Sequence, residues 1–170
     1  MTTAARLVDA LVRRGWTVGV AESLTGGLVA AALVDVPGAS RVLRGGVVAY
    51  ASDVKASVLG VDPGLLVQRG AVDPDVAAQM AAGVVRALRA DVGVATTGVA
   101  GPDPQDGHPP GLVHVAVRTP EGTAGRTLHL DGGRDAVRRA SAHAALVLAL
   151  RLVEDDDEGA DVLPRAAPSG

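Results

Sequence analysis

Short apolar runs that read as strands alternate along this chain with segments that read as helices, and this alternation limits the fold more than any other feature. The runs occupy residues 17–21, 46–51 and 92–95. Before the first, Ala4, Leu7, Val8, Leu11 and Val12 keep helical spacing, and Gly15 is placed to end that helix as its C-cap. Residues 28–36 form an Ala-rich apolar segment that should be helical up to Pro37-Gly38. Asp53 is positioned to cap a short helix through Leu59, and Asp62-Pro63-Gly64 is a turn signal. Asp73-Pro74 joins an N-cap to a proline at the first helical position, opening a long helix. Its inner face should carry Val76, Met80, Val84, Ala87 and Leu88.

Residues 112–117 and 124–130 read as a hairpin joined through Pro120-Glu121-Gly122. The last helix should run from Gly133 to about Val153, and its stretch at 144–150 is apolar all round. Such a stretch is deeply buried or lies at a subunit contact. Strands separated by helical crossovers pair in parallel, so the expected fold class is α/β. The expected architecture is a three-layer α/β/α sandwich on a mostly parallel mixed sheet.

The core of such a sandwich has to be aliphatic here, because Trp16 and Tyr50 are the only aromatic residues. Val, Leu and Ala must pack it as closely spaced layers. At 170 residues the chain suits one domain. The formal net charge of −3 is spread over interspersed acids and bases, which argues against nucleic acid as a partner. Without cysteine there is no disulfide, thiolate nucleophile or thiolate metal site. His108, His114, His129 and His143 lack metal-site spacing and read as surface or core histidines, so no metal is expected. The longest apolar run falls well short of the ~18 residues of a membrane span, and no signal-peptide pattern opens the chain. A cytoplasmic location with no membrane partner is expected. The acidic run 154–158 and the tail to 170 should be disordered, leaving residues 1–153 as the folded domain.

In sheets of this kind ligands bind beyond the carboxyl ends of the strands. That rule selects residues 22–27, 50–55 and 97–101. Ser23 lies between a strand end and a helix start, near backbone N–H groups and the positive end of a helix dipole. Those groups can stabilise an alkoxide or an oxyanion, although Ser23 or Thr25 could equally cap the helix. Lys55 is the only lysine in the chain. A desolvated lysine can act as a base toward serine, which arginine cannot, and the Tyr50 phenol could relay the proton or orient the amine. A solvated helix lysine is the alternative. The segment Thr96-Thr97-Gly98-Val99-Ala100-Gly101-Pro102 lets backbone N–H groups approach a phosphate or an amide oxygen, yet it is neither a Walker A loop nor a dinucleotide fingerprint. Arg134 and Arg138, at i and i+4, suit a phosphate monoester or a solvated helix start.

Five segments, AESLTGG at 21–27, GGVVAYASDVKASVLGV at 45–61, GAVDPDVA at 70–77, TTGVAGP at 96–102 and GRDAVRR at 133–139, together resemble the CinA C-terminal domain family of nicotinamide-nucleotide amidohydrolases. The resemblance runs from about Leu7 to Leu152. It implies hydrolysis of nicotinamide mononucleotide to nicotinate mononucleotide and ammonia, without a cofactor, at a site made of Ser23, Tyr50 and Lys55. Expected substrate contacts are Glu22, Thr25, Gly26, Gly27, Thr97, Gly98, Gly101, Arg134 and Arg138. A homodimer or higher homo-oligomer is implied, and so is the stand-alone form, without the molybdopterin-binding-like domain that precedes this one in many relatives. The chain departs from the family at residues 103–111, where glycines and then Lys-Pro-Val-Gly are usual and Asp103-Pro104-Gln105-Asp106-Gly107-His108-Pro109-Pro110-Gly111 stands instead. That loop bears on substrate preference. The alternative function is a nucleotide-binding or regulatory module that has kept the fold and lost turnover.

Overall fold

A computed structural model describes residues 1–154. Thr2 opens the first helix by accepting a hydrogen bond from the Ala5 N–H at 3.2 Å, and Gly15, left-handed at φ 66°, closes it. This helix is α1 (Thr3–Arg14). It is followed by β1 (Val18–Glu22), α2 (Leu28–Val34), a 3-10 turn at Ala39–Arg41, β2 (Leu43–Val48), α3 (Ser52–Leu59), α4 (Pro63–Arg69) and α5 (Pro74–Leu88). The chain then forms β3 (Val92–Gly98), the hairpin β4 (Leu112–Arg118) and β5 (Thr123–His129), and α6 (Arg134–Glu154).

The strands form one sheet in the order β2-β1-β3-β4-β5. β1 runs parallel to β2 and β3, while β4 is antiparallel to both β3 and β5. Four strands therefore point the same way and β4 alone runs against them.

Successive strand residues face opposite layers, which sorts them by size. Val20, Val94 and Val115 pack with Leu7, Leu11, Val29, Leu33 and Ala145, from α1, α2 and α6. Their neighbours Ala21, Ala95 and Ala116 face Val76, Met80 and Val84 of α5 and Leu59 of α3. Small residues let the second layer approach closely. A Cβ on Gly83 would collide with Leu59 O, and one on Gly93 with Ala81 O. Such spacing explains how a core without phenylalanine stays filled.

Several local expectations shift. Asp62-Pro63-Gly64 opens a helix rather than only a turn: Asp62 accepts from the Gly64 N–H at 2.8 Å with a proline at the start of α4. Ala51 is the N-cap of α3, and Asp53 lies within its first turn. β2 lies three residues nearer the N-terminus than expected, ending before Tyr50. Thr96, Thr97 and Gly98 belong to β3 because they pair with β4. Ala87 is exposed, since α5 turns that position outward. The apolar stretch of α6 buries Ala145, Leu146, Leu148, Ala149 and Leu150 within its own chain. Glu154 ends α6 instead of starting the tail, and it pairs with Arg6 at 2.9 Å and Arg13 at 3.7 Å. The rest of the expected disordered tail, 155–170, lies outside the described residues. No described helix is long and apolar enough to cross a membrane.

Candidate active site

β2, β1 and β3 end side by side, and their ladders continue one step past the strands. Ser23 N–H donates to Thr96 O at 3.0 Å, and Ala49 N–H donates to Glu22 O at 2.8 Å. Ser23 is thereby held between the two neighbouring strand ends. Lys55, on the first turns of α3, folds back over this edge. Its Nζ donates to Ser23 Oγ at 2.9 Å, to Ala49 O at 2.8 Å and to Tyr50 O at 3.1 Å.

The lysine is 1% exposed. Burial lowers its amine from 10.5 to about 8, partly opposed by the negative charge of Asp106. When charged, its three protons meet three acceptors. When neutral, two N–H groups satisfy the two carbonyls and the lone pair is left facing the serine hydroxyl. The arrangement thus holds a base against a hydroxyl in either protonation state.

Tyr50 serves this contact through its backbone carbonyl. Its phenol turns away, is reached by Arg134 Nη2 at 3.2 Å, and leaves the residue 62% exposed. Lys55 reaches Ser23 directly and the phenol is on Arg134, so the phenol stands outside the contact in which it could have relayed the proton or oriented the amine. Tyr50 does line a cavity of about 330 Å³ together with Ser23, Thr97, Gly98, Gly101 and Arg134. Arg134 brings the cavity a guanidinium that is anchored by Nη1 donating to Gly101 O at 2.8 Å.

Other expected contacts are placed elsewhere. Glu22 is buried and turned into the base of α2, where its carboxylate accepts from the N–H groups of Gly27, Val29 and Ala30 at 3.0, 3.1 and 2.8 Å. It therefore acts as the cap of α2, and neither Ser23 nor Thr25 does. The same contacts occupy the N–H groups at the helix start that an anion would use. Thr25 Oγ1 pairs with Thr96 Oγ1 at 2.7 Å, and Thr97 donates its hydroxyl proton to Ala71 O at 2.7 Å. Gly26 and Gly27 are needed for the turn itself, at φ 59° and 106°. Gly98 is a close-approach position, since a Cβ there would lie 2.6 Å from Leu112 O. Arg138 does not line the cavity; it binds Leu24 O and Thr25 O.

Two features of the site are absent from the sequence reading. The carbonyls of Ala49 and Tyr50 carry no sequence signal. Asp106 does carry one, since Asp-Gly is a tight-turn dipeptide. Asp106 and Gly107, at φ 52° and 77°, close a bridge between Gln105 and His108. The Asp106 carboxylate accepts from the Ala71 N–H at 3.3 Å. Among the histidines, His114 is a core residue, buried and within 2.9 Å of Thr127 Oγ1.

An α/β/α sandwich carrying a buried serine–lysine pair at the carboxyl ends of parallel strands is the class that this fold and site define. Within it, the chain belongs to the CinA C-terminal domain family, whose model matches residues 1–153. It is 52% identical over 143 residues to a CinA-like protein of Frankia casuarinae and 48% identical over 153 residues to one of Gloeobacter violaceus. Those matches cover 84% and 88% of this chain but 33% and 36% of the relatives, so the chain spans about a third of their length. Among solved structures it is similar to a CinA superfamily protein from Klebsiella pneumoniae, with a TM-score of 0.86 and 29% identity over 90% of this chain and 96% of that one. It is also similar to the competence/damage inducible protein CihA from Agrobacterium tumefaciens, with a TM-score of 0.82 and 38% identity over 88% and 93% of the two chains.

Proposed function

We propose that this chain is an amidohydrolase that cleaves the carboxamide of nicotinamide mononucleotide by acyl transfer through Ser23, with Lys55 as the base. The observation that carries the reading is the 2.9 Å contact between the Lys55 amine and the Ser23 hydroxyl, made by a buried lysine that two backbone carbonyls hold in place. Neutral Lys55 takes the Ser23 proton as Oγ attacks the carboxamide carbon, which the pyridinium ring makes electrophilic. The resulting ammonium, stabilised by Ala49 O and Tyr50 O, passes a proton to the departing nitrogen. Ammonia leaves and an ester remains on Ser23. Water, deprotonated by Lys55, then attacks that ester, releasing nicotinate mononucleotide and restoring the serine.

The tetrahedral intermediates need donors for their oxyanion, and each such donor is worth about 3 kcal/mol. The N–H groups of Leu24 and Thr25 follow the serine and have no partner among the described residues. Arg134, at the cavity, supplies the charge for the 5′-phosphate. The cavity volume falls in the range common for small-molecule sites.

The test is ammonia release by the purified chain supplied with nicotinamide mononucleotide, with Ser23→Ala as the control. Equimolar ammonia and nicotinate mononucleotide from the wild type alone support the reading. A folded wild-type chain that binds the nucleotide and releases no ammonia would instead be a binding module.

A further inference from the structure

Arg138 stands one helical turn beyond Arg134 on α6, and its guanidinium is committed to the turn after Ser23. Nε donates to Leu24 O at 2.9 Å and Nη2 to Thr25 O at 3.0 Å. A planar fork on two successive carbonyls fixes their orientation more firmly than a single contact does. A trans peptide carries its N–H opposite its C=O. Drawing Leu24 C=O toward α6 therefore turns the Thr25 N–H away from α6, toward the opposite layer, from which α3 contributes Lys55. Most other N–H groups of this turn are engaged. Ser23 donates to Thr96 O, Gly26 to Ser23 O and Leu28 to Thr25 O, while Gly27, Val29 and Ala30 donate to Glu22.

We infer that Arg138 is a positioning residue, holding the Leu24–Thr25 peptide from α6 so that the Thr25 N–H faces the oxyanion formed at Ser23. The inference rests on the acyl-transfer reading above. Arg138 itself touches neither substrate nor reacting atoms, so its loss should act on the chemical step and spare binding. Lysine at this position keeps the charge and loses the fork.

The experiment uses Arg138→Lys and Arg138→Ala, each checked by thermal melting. Two rates are measured: turnover of nicotinamide mononucleotide, and phosphonylation of Ser23 by a small alkyl fluorophosphonate, followed by mass spectrometry. In the second reaction Ser23 Oγ displaces fluoride from phosphorus and places negative charge on the phosphoryl oxygen, so it samples the same donor whatever the amide substrate. Removing an oxyanion donor outright costs about 10²–10³ in kcat. Misaligning one should lower kcat and the phosphonylation rate about tenfold in the lysine variant and about a hundredfold in the alanine variant. KM should stay within about threefold, and millimolar guanidinium should restore part of the alanine variant's rate.

Unchanged phosphonylation in a folded variant overturns the inference, and so does a raised KM with kcat retained, which would put Arg138 on the substrate. If the alanine variant does not fold, the lysine variant decides. A wild type that takes phosphonate at Ser23 but releases no ammonia leaves the phosphonylation comparison to decide. A wild type that does neither overturns the acyl-transfer reading, and the inference with it.

Discussion

If Lys55 is the base, the pH dependence of turnover should report its titration directly. Burial lowers the amine to about 8. At pH 7 about one lysine in ten is then neutral, and at pH 9 about nine in ten, so kcat/KM should rise about tenfold along a limb centred near pH 8. Asp106 is the group that raises this amine, and Asp106→Asn keeps an oxygen for the Ala71 N–H while removing the charge. That variant should move the limb to lower pH and run faster than wild type at pH 7. Lys55→Arg, which cannot deprotonate, should lose both the rate and the limb. The same titration appears in stability. A lysine that binds its proton more weakly in the folded chain than in the unfolded one makes stability rise with pH from about 8 to 10.5, and that stability is lost as pH falls through about 8. Relative to Lys55→Met, the wild type should gain about 1 kcal/mol between pH 7 and 9, after allowance for solvent screening. Steady-state ammonia release at intervals of half a pH unit, with urea midpoints for both proteins at the two end points, measures each effect. A flat rate profile from pH 6.5 to 9, or a sloping one in Lys55→Arg, would show that another group is the base.

Ser23→Ala should reduce ammonia release about a thousandfold or more while leaving the affinity for nicotinate mononucleotide unchanged by calorimetry; near wild-type turnover would remove Ser23 from the chemistry. Arg134→Ala should weaken nucleotide binding by about 1.5–3 kcal/mol and hardly alter binding of the phosphate-free riboside. Equal losses for both ligands would make Arg134 a strut for Gly101 and nothing more. Glu22→Gln turns an amide NH₂ toward N–H groups that now meet a carboxylate, which should cost about 2 kcal/mol and lower the melting temperature by about 4–8 °C. An unchanged melt would mean that α2 does not depend on this cap.

Local chemistry was enough to place most of the fold. Gly15 ends α1, Asp73-Pro74 opens α5, and β1 and β3 begin within a residue of their apolar runs while β2 is displaced by three, because periodicity and capping depend on a few neighbouring residues and strand register does not. The same Asp-Pro signal at Asp62-Pro63 also starts a helix, α4, where the sequence suggested only a turn. Tertiary structure was needed to decide how adjacent motif residues divide their work. Glu22 and Ser23 are neighbours in sequence, yet alternation at the strand end sends one into the base of α2 and the other to Lys55. Arg134 and Arg138 share a helix face but stand one turn apart along α6. One arginine therefore meets the cavity and the other meets the backbone of the serine turn. The singular lysine was visible in the sequence, whereas its lowered pKa was not. Desolvation is summed over the atoms packed around the amine, and the groups it contacts at Ser23, Ala49 and Tyr50 follow β1 and β2 and meet it only when the sheet forms. The charge of Asp106 that opposes it comes from a turn about fifty residues away in the chain.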